Sequence, residues 1–164
     1  RYRLRSRGLG DVYKRQLLIC LAIPLLTGAL SGWITRDGIE AFQLLNKPPL
    51  SPPGWLFPLV WTVLYIMMGI ASWLIAGSGQ NEYRKECLIL YGAQLIVNFF
   101  WPVFFFRCQW YFFAFLWLLL LWYLILMTLK CFSEINKKAG YLMVPYLIWV
   151  TFAGYLNLFI SIMN

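Results

Sequence analysis

The side chains able to do chemistry in this sequence are amides, hydroxyls and indoles, and they are spaced by three and four. Tyr91, Gln94, Asn98 and Trp101 follow at intervals of three, four and three, which keeps them within roughly 80° of one helical face at ~100° per residue. Tyr146, Trp149, Ala153, Asn157 and Ser161 repeat the pattern, Trp61, Tyr65 and Gly69 recur at every fourth position, and so do Thr27, Ser31 and Thr35. Two such faces, turned toward each other, would line a pocket in which an indole offers a flat π-face and one N–H donor. The chain has no histidine, so the commonest metal ligand and general base are both missing. No metal site and no Ser-His-Asp triad is therefore expected, and no cofactor is expected to be required.

The elements that carry these stripes are apolar. Hydrophobic residues make up 62% of the 164 residues and charged residues only 12%, about half the share in soluble domains. Leu17–Trp33, Leu56–Ala76, Cys87–Phe106, Trp110–Leu129 and Tyr141–Met163 contain no Asp, Glu, Lys or Arg, and run 17, 21, 20, 20 and 23 residues. A helix crossing a bilayer needs about 20. Backbone in lipid must satisfy its own hydrogen bonds, and the alternation of a barrel strand is absent. The expected fold is an all-α integral membrane bundle of five helices, spanning about 17–35, 56–77, 86–106, 109–130 and 140–163.

The net charge of +8 would suggest nucleic acid for a soluble protein; here its distribution reports orientation. If the first helix starts near Gln16, the tail and the loops at 77–86 and 130–139 carry eleven basic residues, against Arg36, Lys47 and Arg107 on the other side. That places the N-terminus in the cytoplasm of a bacterial cell membrane. Without the tail the count is five against three. Residues 1–16 lack an initiator Met and any apolar periodicity, and are as readily non-native as a native arm; residues 17–164 form the domain. A cleavable signal peptide is not expected, since Ser31-Gly32-Trp33 offers no clear small-residue cleavage site.

Residues 36–55 form the longest connection. Asp37 is a candidate N-cap, and Ile39, Phe42 and Leu45 suit a short interfacial helix. Pro48-Pro49 and Pro52-Pro53 then enforce an extended, stiff crossing. Such a loop either serves as a lid or merely connects two helices, and its length favours the lid. Pro48, Pro53 and Trp55 are its candidate ligand contacts, beside Tyr65, Gln94, Asn98, Trp101, Tyr146, Ala153 and Asn157 from the stripes. Trp33, Trp55, Trp73 and Trp110 lie near span ends, as belt residues do, whereas Trp61 and Trp149 fall about 8 and 12 Å inside their spans. The competing reading is that Gln94, Asn98 and Asn157 only hydrogen-bond between helices. Pro24, Pro102 and Pro145 should kink or widen their helices. Gly28-xxx-Gly32 could let helices approach, within the chain or across a dimer. Cys20, Cys87, Cys108 and Cys131 form no CxxC pair and read as small apolar packers. The fourth span, without a polar stripe, reads as packing and lipid-facing surface.

The stretches KPPLSPPGWLFPLVWTVLYIMMG (Lys47–Gly69), GAQLIVNFFWPVFF (Gly92–Phe105) and PYLIWVTFAGYLNLFI (Pro145–Ile160) resemble the signature segments of the TspO family of tryptophan-rich sensory and translocator proteins. The resemblance runs from Leu17 onward and is weakest in the fourth span. It implies a clockwise five-helix bundle, usually a homodimer, with a pocket under the loop between the first two helices. It further implies binding of porphyrins and related tetrapyrroles in contact with membrane lipid. Trp61 and Trp149 correspond to the pocket tryptophans associated with light-dependent protoporphyrin breakdown, and so are the catalytic candidates. The chain lacks the basic residue of the animal sterol pattern after the last helix, which argues against a cholesterol role. Three functions follow for testing: a tetrapyrrole sensor with photo-oxidative turnover, a passive carrier of a lipophile, and a regulatory protein holding structural lipid. Ion-coupled transport is disfavoured, because the spans lack ionisable relays.

Overall fold

The apolar runs become helices in a computed structural model that describes residues 2–79 and 82–164, with side chains from Gly10 onward. Six α-helices follow in order: α1 (Tyr2–Ile34), α2 (Gly38–Gln43), α3 (Leu56–Ala76), α4 (Glu82–Pro102), α5 (Tyr111–Ile135) and α6 (Lys137–Met163). A π-helical turn, Val103–Arg107, continues α4. Among the described residues five stretches are long and apolar enough to cross a membrane: Gly10–Ile34, Leu56–Ala76, Glu82–Arg107, Tyr111–Ile135 and Lys137–Met163, of 25, 21, 26, 25 and 27 residues. The molecule is a five-helix membrane bundle.

The helices outrun the charge-free segments. α1 passes straight through Gln16, where the first span was expected to begin, and α5 and α6 absorb Lys130, Glu134, Lys137 and Lys138. Charge marks where lipid ends, whereas a helix also continues through the wet interface. Only Asn136 separates α5 from α6: it is extended, and its side chain accepts the Lys138 N–H at 2.9 Å, satisfying one of the free donors of the new helix.

Around the bundle the membrane helices follow the order α1, α3, α6, α5, α4, with α4 closing on α1. Small residues permit a close approach between α1 and α3. A Cβ on Gly69 would lie 2.8 Å from the Cys20 carbonyl oxygen, and one on Gly28 would strike the Tyr65 ring. Gly28 thus serves a close approach inside the chain, whereas a Cβ on Gly32 would meet nothing of the chain within 4 Å. Apolar side chains face outward as well as inward. Ile19, Leu26, Ile89, Ile96, Phe112, Leu119 and Ile148 are all exposed, as a lipid solvent allows. α5 follows its expectation: Ala114, Leu118, Leu121, Ile125, Thr128 and Phe132 form one buried stripe, and the opposite face is open.

The cysteine reading needs correction. Cys87 and Cys131 form a disulfide; Cys20 and Cys108 are free. Cys87 lies near the start of α4 and Cys131 near the end of α5, so two antiparallel neighbours bring them level, with Cα atoms 5.5 Å apart. A pairing across 44 residues leaves no local motif to read.

The candidate ligand pocket

At the end of the bundle where α1 meets α2, the helices diverge around a cavity of about 570 Å³. That is ample for a drug-sized ligand. α1 contributes Gly28, Ser31, Gly32 and Thr35, whose small side chains leave room. α3 brings Phe57, Trp61 and Tyr65, α4 and its π turn bring Trp101, Phe105 and Phe106, and α6 brings Trp149, Ala153, Leu156 and Asn157. α2 and the following loop close the top with Ile39, Phe42, Gln43, Lys47 and Gly54.

Aromatic stacking holds the wall. Trp61 lies over Tyr65 at 5.6 Å between ring centroids and meets Tyr146 edge-on at 6.2 Å. Phe57 packs edge-on against Trp149 at 5.8 Å. Trp101 stacks on Phe105 at 5.2 Å, and its indole donates to Asn157 Oδ1 at 3.0 Å. Asn157 in turn donates to the Tyr111 carbonyl at 2.7 Å, tying α4, α6 and α5 together. The Trp149 indole N–H is buried with no partner. Such an orphan costs about 1–3 kcal/mol unless something satisfies it.

Pro102 cannot donate a backbone hydrogen bond, and the chain after it winds into the π turn. This widening turns Phe105 and Phe106 toward α2, where Phe42 packs on them at 5.9 and 5.4 Å. A Cβ at Gly38 would collide with the Phe106 carbonyl, so only glycine lets α2 settle this low. Asp37 occupies the N-cap position of α2 as expected, though its side chain makes no cap bond. Beyond α2 the lid is latched to α6. Asn46 and Asn164 exchange two hydrogen bonds, of 3.2 and 3.0 Å, and the Tyr155 hydroxyl donates to the Pro49 carbonyl at 3.0 Å. Residues 46–53 are non-helical, with a turn at Pro49–Leu50 in which Leu50 takes a left-handed φ of 71°.

Of the residues singled out in the sequence, Trp61, Tyr65, Trp101, Trp149, Ala153 and Asn157 are brought together on this wall. Gln94, Asn98 and Tyr146 are not on it. They lie behind Tyr65, essentially unexposed, in a chain of hydrogen bonds: Tyr65 donates to Asn98 at 2.8 Å, Asn98 to the Tyr146 hydroxyl at 2.6 Å, and Tyr146 to Gln94 at 2.6 Å. For Gln94 and Asn98 the interhelical reading therefore describes what the side chains do. Pro48 is buried within the loop, and Pro53 and Trp55 are exposed outside the wall, Trp55 at 68%. Phe105 also had a signal, standing four residues after Trp101 on the same stripe, whereas Phe106 lies one position off it and had none. Phe57 had one too, standing one turn before Trp61.

The sequence matches the TspO/MBR family over residues 20–163. The chain belongs to that family. It is 38% identical to the tryptophan-rich protein TspO of Chlorobaculum tepidum, over 90% of this chain and 95% of that protein. A tryptophan-rich sensory protein of Cereibacter sphaeroides is 38% identical over 85% and 84% of the two chains. The Bos taurus translocator protein is 34% identical over 82% of each. The TspO/MBR match spans all five membrane helices, including the fourth, where hydrophobic character was the only resemblance.

Proposed function

We propose that this protein is a membrane sensor that binds a tetrapyrrole under its lid and, in light, promotes breakdown of bound protoporphyrin. The observation that carries the reading is the placement of Trp61 and Trp149 on one aromatic cavity of about 570 Å³. A flat macrocycle suits a wall of indole and phenyl faces. In the turnover step the excited porphyrin is its own photosensitiser, dioxygen is the oxidant that is reduced as the macrocycle is oxidised, and Trp61 and Trp149 are redox-active groups on the wall beside it. No general acid or base is needed. Titration with protoporphyrin should quench the intrinsic tryptophan fluorescence. Trp61→Phe with Trp149→Phe should cut the light-driven product at least tenfold while the helical circular dichroism is kept. A double variant that degrades porphyrin at the wild-type rate would sink the photochemical part.

The filled interior below Tyr65 favours binding over passage. The Tyr65–Asn98–Tyr146–Gln94 chain, with Met68 beside it, plugs the route along the bundle axis. A dimer, also proposed, must use a face other than Gly28, which Tyr65 occupies. The cytoplasmic N-terminus rests on basic residues at the end of the bundle that also holds the Cys87–Cys131 bridge. Disulfides persist in oxidising compartments, so the two signals oppose each other. Labelling of a cysteine placed in the 77–79 turn by an impermeant reagent in intact cells would overturn the charge-based orientation.

A further inference from the structure

The three basic residues at the pocket end of the bundle differ in what already holds them. Arg36 donates to the Trp33 carbonyl at 2.6 Å, and its guanidinium lies 4.6 Å from the centre of the Trp33 ring. Arg107 donates to the Ile34 carbonyl at 3.1 Å. Neither lines the cavity. Lys47 does, as its single charged wall residue among the described ones, and its Nζ rests 4.5 Å from the Phe42 ring centre. Among the described residues this ammonium has no carboxylate and no hydrogen-bond acceptor.

We propose that Lys47 is the anion anchor of the pocket, pairing with a carboxylate at the edge of a planar ligand and so selecting acidic macrocycles over neutral ones. This rests on the tetrapyrrole reading above and adds to it the group that is recognised and the residue that recognises it. A ring face attracts a partly buried ammonium less strongly than a carboxylate does through a charge-assisted hydrogen bond. An entering acid therefore draws Nζ from Phe42. The aromatic seat does not depend on the lysine, because Phe42 is also packed by Phe57, Phe105 and Phe106 at 5.4–6.1 Å. With the charge at the mouth and Trp61 and Tyr65 deeper, the acid edge of the ligand lies under the lid and its apolar edge faces the interior. Lys47 thus also sets which edge of the macrocycle meets the tryptophans.

The test compares protoporphyrin with its dimethyl ester on wild type, Lys47→Met and Lys47→Arg in lipid nanodiscs, with empty discs as the blank for partitioning. Tryptophan quenching reads the affinity. Wild type should bind the diacid about tenfold more tightly than the diester, the size of one charge-assisted hydrogen bond. Lys47→Met should abolish that preference by weakening the diacid alone, and Lys47→Arg should keep it. Equal binding of acid and ester by wild type, or a parallel loss of both in Lys47→Met, would overturn the anchor and leave the tetrapyrrole reading standing. If neither compound quenches wild type above the blank, the tetrapyrrole reading falls and the anchor with it.

Discussion

The two halves of the bundle are built from the same residue types at the same period, yet one is hollow and the other filled. Above Tyr65 the stripes of α3, α4 and α6, the last with the small Ala153, look across at Gly28, Ser31 and Gly32 of α1, and a cavity remains. Below it the same three helices present Met68, Gln94, Asn98 and Tyr146 to one another, all of them buried. The difference lies in the partner rather than in the stripe. A polar face opposite small residues becomes a pocket, and a polar face opposite another polar face becomes a network of hydrogen bonds. Tyr65 belongs to both, its ring on the cavity wall and its hydroxyl bound to Asn98.

Making the hollow half resemble the filled one should have the largest effect. Ala153→Phe places a ring in the cavity, and protoporphyrin affinity should fall about a hundredfold, equivalent to about 2.7 kcal/mol. The unfolding midpoint in detergent should move little, because the side chain enters existing space. A collapse of stability with affinity retained would mean that the cavity is not the binding site. The reverse change, opening the filled half, should act on stability first. Asn98→Leu strips the Tyr65 hydroxyl of its acceptor and removes the Tyr146 donor, costing about 2 kcal/mol in a denaturant titration while affinity changes less than tenfold. An affinity loss that exceeded the stability loss would place Asn98 among ligand contacts after all. The smallest effect belongs to the lid, whose latch to α6 is exposed. Tyr155→Phe removes the bond to the Pro49 carbonyl, worth about 1 kcal/mol, and should speed ligand dissociation roughly fivefold in stopped-flow quenching while the midpoint falls less than in Asn98→Leu.

Much of this was legible in the chain, for reasons that differ by residue. Trp61, Tyr65 and Trp149 could be placed because an indole or phenol well inside an apolar span has few innocuous explanations. Gln94 and Asn98 were correctly assigned to the inner face of α4, but the face does not say how deep the cavity reaches along it. Trp55 looked like a lid contact because it closes the proline segment; the loop instead turns at Leu50 and carries Trp55 outward. Cys87 and Cys131 looked inert because nothing local joins them, and only the antiparallel packing of α4 and α5 does.

The sequence alone determined the five helices and the inward direction of their polar stripes, because the absence of water in lipid compels helices and makes every buried amide seek a partner. Which end is hollow was implied by the family resemblance and by no stripe, and the tertiary structure supplied the cause. That outcome depends on the small side chains of α1 facing α3, on the π turn after Pro102, and on a lid seated against it. Each is a relation between residues far apart in the chain, and no periodicity records it.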